Sequence, residues 1–123
     1  MNKFEYRIYE SVYYDMISGK KTIEFRLLNE KSNKIQKGDE IKFEVVDDEN
    51  KSILVEVLDK YFYNNIEDLW NHKEDLSTVK DYSKEELKNA FYQIFGKDKV
   101  DSSKIVGIKF KVKEYKNDRN KKL

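Results

Sequence analysis

Residues Gly19 to Arg26 read GKKTIEFR, so two lysines, a glutamate and an arginine fall within seven residues just past a helix-ending glycine. Strand alternation puts Thr22, Glu24 and Arg26 on one face and Ile23, Phe25 and Leu27 on the other. If the polar face lines a groove, an ammonium, a carboxylate and a guanidinium come within side-chain reach of one another. The arginine then offers a planar fork for a phosphate or a base edge, and the lysine a point charge. The glutamate accepts from an exocyclic amine or a hydroxyl. Lys20, Lys21, Thr22, Glu24 and Arg26 are the candidate ligand-binding residues.

The same residues have plainer uses. Cations just after a helix C-terminus interact with its dipole by roughly 0.3–1 kcal/mol each. Exposed ion pairs along a strand contribute about 0–1 kcal/mol. Outside this segment, Tyr61, Phe62 and Tyr63 offer rings on which a base can stack, although such a run more often fills a core. Trp70 shares helical spacing with Ile66 and Leu69 and reads as core, and His72 reads as a solvated or capping residue. Ser83-Lys84-Glu85-Glu86 matches a capping box, which gives Glu86 a structural role as the partner of Ser83.

Composition removes other chemistries. The chain has no cysteine and one histidine, so a disulfide, a thiolate nucleophile and a multi-histidine metal site are excluded. No glycine-rich phosphate loop and no Ser-His-Asp arrangement occurs; no metal and no cofactor are expected. Charged residues make up 40% of the 123 residues, yet the net charge is +1, which argues against a surface coated for nonspecific duplex binding. No apolar run reaches the length of a membrane span. The expectation is a soluble protein of the bacterial cytosol with no membrane partner. Nine tyrosines, seven phenylalanines and a tryptophan predict a core built largely of rings.

Alternation predicts strands over Lys3 to Tyr9, Thr22 to Leu28, Ile41 to Val45, Ile53 to Val57 with a continuation through Tyr63, and Val106 to Val112. Helical spacing predicts a short helix capped by Ser11 and stopped at Gly19, another over Ile66 to Trp70 behind Asn64-Asn65, and a third from Ser83 to Gly96. Asn29 to Lys37 reads as a polar loop, Gly38-Asp39 as a turn and Asp47 to Lys51 as a solvated hairpin connection. The length predicts one hydrophobic core. The expected fold is α+β: a closed or half-closed β-barrel of about five to six strands, with about three short helices packed beside a cleft. The domain is expected over 1–115, followed by a basic, frayed tail over 116–123.

At these residues the chain resembles the ASCH (activating signal cointegrator homology) domain family of the PUA-like superfamily. Its G-x-K-x-x-E-x-R signature matches Gly19, Lys21, Glu24 and Arg26, and the strand-opening Gly-Asp matches Gly38-Asp39-Glu40-Ile41. The resemblance continues through Tyr61, the Ile66 to Trp70 helix, the Glu86-Leu87 helix and the Val106-Gly107-Ile108-Lys109-Phe110 strand. It implies a small barrel with a cleft that binds RNA or a nucleotide. A subset of small bacterial members are amidohydrolases that remove the acetyl group of N4-acetylcytidine, using a lysine base, a threonine nucleophile three residues later and a glutamate acid on the later helix. Lys21 matches the lysine and Glu86 the helical glutamate, whereas Glu24 stands at the threonine position and is no hydroxyl nucleophile. The enzyme reading then rests on Glu24 activating water beside Lys21, or on Thr22 as a shifted nucleophile. Binding without catalysis is the primary expectation, the amidohydrolase the alternative and a protein-interaction module the second alternative.

Overall fold

The computed structural model describes residues 1–72 and 81–117. In chain order the elements are β1 (Lys3–Ile8), α1 (Glu10–Ile17), β2 (Ile23–Leu27), α2 (Glu30–Lys34), β3 (Glu40–Val45), β4 (Asp48–Tyr63), α3 (Ile66–Asn71), α4 (Lys84–Phe95), α5 (Lys97–Ser102) and β5 (Ile105–Asn117). The strands form one sheet in the order β1-β3-β4-β5-β2. β1 and β3 are parallel and every other pair is antiparallel. The architecture is α+β, a sheet curled into a half-barrel with helices beside it. The expected tail boundary moves: Lys116 and Asn117 are the last residues of β5, paired with Ser52 and Lys51, and the rest of the expected tail lies outside the described residues.

The long strands β4 and β5 form the spine. Their register shifts between Leu54 and Val55 and between Val57 and Asp59, and such bulges bend and twist a strand pair. Instead of one core, the buried side chains fall into two clusters. Tyr13 and Met16 of α1 pack on Ile8, Ile41, Phe43, Val55 and Phe110. Ile23 and Phe25 of β2 pack with Leu69, Leu87, Phe91 and Val100 from the later helices. The curl of the spine lets one sheet serve both.

Gly107 marks where β2 meets the spine. It pairs with Phe25, and an added Cβ would stand 3.0 Å from Phe25 Cε1 and 3.5 Å from Ile23 Cγ2. Gly107→Ala is expected to push the Phe25 ring off its seat and destabilise the fold by about 1–3 kcal/mol, the usual range for overpacking. Urea unfolding monitored by circular dichroism checks this, and an unchanged midpoint would contradict it.

Four local features depart from the sequence expectation. The predicted loop at Asn29 contains α2, because the Asn29 side chain accepts from Ser32 N at 2.9 Å while Ser32 Oγ accepts from Asn29 N at 2.9 Å. Lys60 Nζ then donates to the α2-end carbonyls of Ser32, Asn33 and Ile35 at 2.6, 3.1 and 2.9 Å. In α1 the N-cap is Tyr9, not Ser11, and it caps through its backbone carbonyl, which accepts from Val12 N and Tyr13 N. The solvated connection at Asp47 to Lys51 is instead a tight turn with Asp47 at φ 63°, followed at once by β4. Lys51 there is 1% exposed, its Nζ 2.7 Å from Glu10 and 2.9 Å from Asp48. α5 was also not foreseen; it begins where Gly96, at φ 92°, breaks the helical path.

Candidate functional site

Lys21 leaves α1 through Gly19, which takes a φ of 82° that favours glycine. Its own N–H donates to Asp15 O at 2.9 Å, tying the segment back to α1. Lys21 Nζ lies 3.1 Å from Glu24 Oε1. On the other side, Arg26 donates from Nη2 and Nε to Glu24 Oε2 at 2.8 and 3.1 Å. The carboxylate of Glu24, 7% exposed, therefore sits between two cations. Lys21, Glu24 and Arg26 meet in the structure: Glu24 and Arg26 share one face of β2, and Lys21 reaches Glu24 from the turn before the strand.

Arg26 does more than pair. Its Nη2 also donates to Arg7 O at 3.1 Å, and its guanidinium lies 4.4 Å from the centre of the Tyr6 ring. Arg7 and Tyr6 belong to β1, the opposite end of the sheet order from β2. One side chain thus bridges the two edges that backbone pairing leaves open. Lys31 covers the same ring at 4.0 Å and donates to Glu5 O. The Tyr6 hydroxyl is buried without a hydrogen-bond partner among the described residues; burial raises its pKa, opposed by the Arg26 charge. Most of the Arg26 fork is engaged; Nη1 is the one guanidinium nitrogen that makes no hydrogen bond among the described residues.

Lys21, Glu24 and Arg26 form the polar end of a cleft of about 340 Å³. Its walls are Phe25 of β2, Leu87, Ala90, Phe91, Ile94 and Phe95 of α4, and Arg7, Ile8, Tyr9 and Val12 from the end of β1 and the start of α1, with Val46 and Tyr82 completing it. The volume falls in the range of small-molecule sites, about 300–1,000 Å³. Tyr9 and Ile94, at 61% and 57% exposure, stand at the mouth. Two cations against one carboxylate leave one net positive charge at the polar end, and Arg7 adds another.

The other sequence candidates lie elsewhere. Lys20 is exposed and lies outside the cleft lining, as do the half-buried Thr22 and Tyr61. Tyr61 instead packs beside the second core cluster. Glu86 does not reach the cleft: its carboxylate accepts from Ser83 N at 3.0 Å, and Ser83 Oγ accepts from Glu86 N at 3.1 Å. Helix geometry explains this, since the first-turn residue points at the helix end while Leu87, Phe91 and Ile94 turn toward β2. Missing from the sequence candidates were the α4 wall, Arg7 and Tyr9. The α4 wall had a signal in the apolar stripe of that helix, read there as core alone.

The bond to Ser83 N holds the Glu86 carboxyl below its ordinary value of 4.5. A depressed carboxylate contributes stability that is fully present above its unfolded value and is lost as pH falls through the folded one. Glu86→Gln should therefore be less stable than wild type near pH 6, with a smaller gap near about pH 3. Paired urea titrations of the two proteins at both pH values check this; an equal gap at both would refute the carboxylate's role.

Among the described residues, no cluster of three or more histidine, aspartate or glutamate side chains is placed to hold a metal ion, and no helix is long and apolar enough to cross a membrane. No protein-family model matches the chain, and no curated protein matches it. Solved structures do. Hypothetical protein PH0355 superposes with a TM-score of 0.74 at 22% identity, over 91% of this chain and 99% of its own. Protein PF0455 from Pyrococcus furiosus superposes with a TM-score of 0.68 at 23% identity, over 94% and 100%. The ASCH protein from Zymomonas mobilis superposes with a TM-score of 0.58 at 13% identity, over 92% of this chain and 71% of its own. The sheet order, the helices beside it and these superpositions agree: this chain has the fold of an ASCH domain, a small α+β half-barrel.

Proposed function

We propose that the cleft binds the base of a nucleotide or of single-stranded RNA. The observation that carries this is the joining of an apolar, ring-lined slot to a cationic end in one cavity. Phe25, Phe91 and Ile94 offer flat apolar surface to a heterocycle, and base–aromatic contact is worth about 1–3 kcal/mol per base. Lys21 and Arg7 supply positive charge for the attached phosphate, and Glu24 supplies an acceptor.

Titration of short single-stranded RNA into 15N-labelled protein tests the proposal. The amides of Lys20 to Arg26 are expected to shift, and affinity should fall with salt with a slope of about −0.7 per phosphate neutralised. Lys21→Ala should weaken binding and flatten that slope by one phosphate's share. Amides of this segment that stay in place at saturating RNA would end the proposal.

The amidohydrolase reading has less support. Of the three positions carried over from the family, only Lys21 lines the cleft with its chemistry unchanged. Glu86 is engaged at a helix cap, Thr22 is off the lining, and both Glu24 oxygens face cations. Incubation with N4-acetylcytidine should give no cytidine. Turnover that disappears in Lys21→Ala would reverse the ranking.

A further inference from the structure

Residues of both parities on β2, namely Glu24, Phe25 and Arg26, line the cleft, as do the consecutive residues Arg7, Ile8 and Tyr9 beside β1. Side chains of successive strand residues point to opposite faces, so a cavity lined by both parities looks onto a strand edge. β1 and β2 are the two edge strands of the sheet. The cleft therefore opens along the seam where the barrel is not closed by backbone pairing.

The register shows which backbone groups face that seam. On β2, Thr22 O accepts from Phe110 N and Leu28 N donates to Lys104 O, so even-numbered residues turn toward β5 and Ile23, Phe25 and Leu27 turn away from it. On β1, Asn2 O accepts from Glu40 N and Ile8 O from Val46 N, so Glu5 and Arg7 turn away from β3. Exposed edges invite pairing with other chains, and proteins commonly block them. Here side chains block three of the edge carbonyls: Lys31 takes Glu5 O, Arg26 takes Arg7 O, and the Ser32 hydroxyl takes Leu27 O at 3.0 Å. Phe25 is the outward-facing β2 residue that lines the cleft, and no side chain among the described residues takes its N–H or C=O.

We propose that the backbone N–H and C=O of Phe25, on this unblocked stretch of the β2 edge, read the hydrogen-bonding edge of the base held in the cleft. The inference rests on the nucleotide reading above and adds how the base is recognised. In an extended residue the N–H and C=O lie side by side and point the same way. Their complement is an acceptor beside a donor in one plane, which the pairing edge of a nucleobase carries. A phosphate or carboxylate carries acceptors alone and would face the Phe25 carbonyl with like charge. An added peptide strand needs a row of free edge groups, and the blocked carbonyls of Leu27 and Arg7 interrupt that row.

The test is a set of paired nucleosides titrated into 15N-labelled protein: uridine with 3-methyluridine, guanosine with 1-methylguanosine, cytidine with N4,N4-dimethylcytidine, and adenosine with N6,N6-dimethyladenosine. For whichever parent binds, the expected results are a downfield shift of the Phe25 amide proton and a loss of about tenfold or more in affinity for the edge-blocked partner. Equal affinity within every pair, with the Lys20 to Arg26 amides still shifting, overturns the edge readout and leaves the nucleotide reading standing. No response to any nucleoside or to short RNA overturns both.

Discussion

Glu24→Ala is expected to lower the unfolding free energy by about 2–4 kcal/mol, among the largest single-residue losses outside the two core clusters. Removing one partner of a buried ion pair leaves the other charge uncompensated, at a cost of about 3–5 kcal/mol when burial is complete. Here the stranded groups are two cations, but the Lys21 and Arg26 side chains retain 16% and 22% of their exposure, so water recovers part of the loss. Arg26 would keep its bond to Arg7 O and its place over Tyr6, with its charge no longer balanced on the β2 side. Glu24→Gln keeps the shape and one acceptor and should cost less. Urea unfolding of the three proteins checks the order wild type, Gln, Ala. An Ala variant as stable as wild type would show that the cation pair is solvated, contrary to the geometry.

The second large effect is at Lys51. Lys51→Ala should cost about 3 kcal/mol or more, whereas Lys51→Met should cost far less. The lysine stem fills space at the junction of α1 and the β3–β4 turn, and its ammonium meets Glu10 and Asp48 at 2.7 and 2.9 Å. Alanine removes both the stem and the charge and leaves a cavity, which costs about 2–5 kcal/mol for a long side chain. Methionine restores most of the volume, and replacing a buried ion by an apolar group of similar size is often neutral or stabilising. Glu10 and Asp48 keep 54% and 32% of their side-chain exposure, so water can solvate the carboxylates that remain. Unfolding midpoints of the two variants decide the matter; equal losses for Met and Ala would mean that the ion pairs, not the filled volume, hold this corner.

How much of this was legible beforehand depends on the range of the interaction. Lys21, Glu24 and Arg26 meet because they are three and two residues apart on a turn and a strand, and local geometry places them. Ser83 and Glu86 form their capping box for the same reason. Asn29 and Ser32 form another, missed because serine rather than glutamate or glutamine occupies its third helical position. Lys51 is the opposite case. Its neighbours in sequence are charged and polar, and only the packing of α1 against the start of β4 buries it, by a contact 41 residues away. The cleft wall on α4 belongs to the same class, since the stripe that binds Phe25 and the stripe that faces the cavity lie on one helix and differ only in what the fold sets opposite them.

Alternating and helical patterns along the chain were enough to define about five strands, an α+β barrel that is closed or half-closed, and the charged segment on one strand, because a strand's two faces and a helix's apolar stripe are written at periods of two and three to four residues. The curl of the sheet, the seam between β1 and β2, and the side chains that close it came from tertiary structure alone. They arise where strands distant in sequence approach without pairing, and no local period encodes which backbone groups such an approach leaves open.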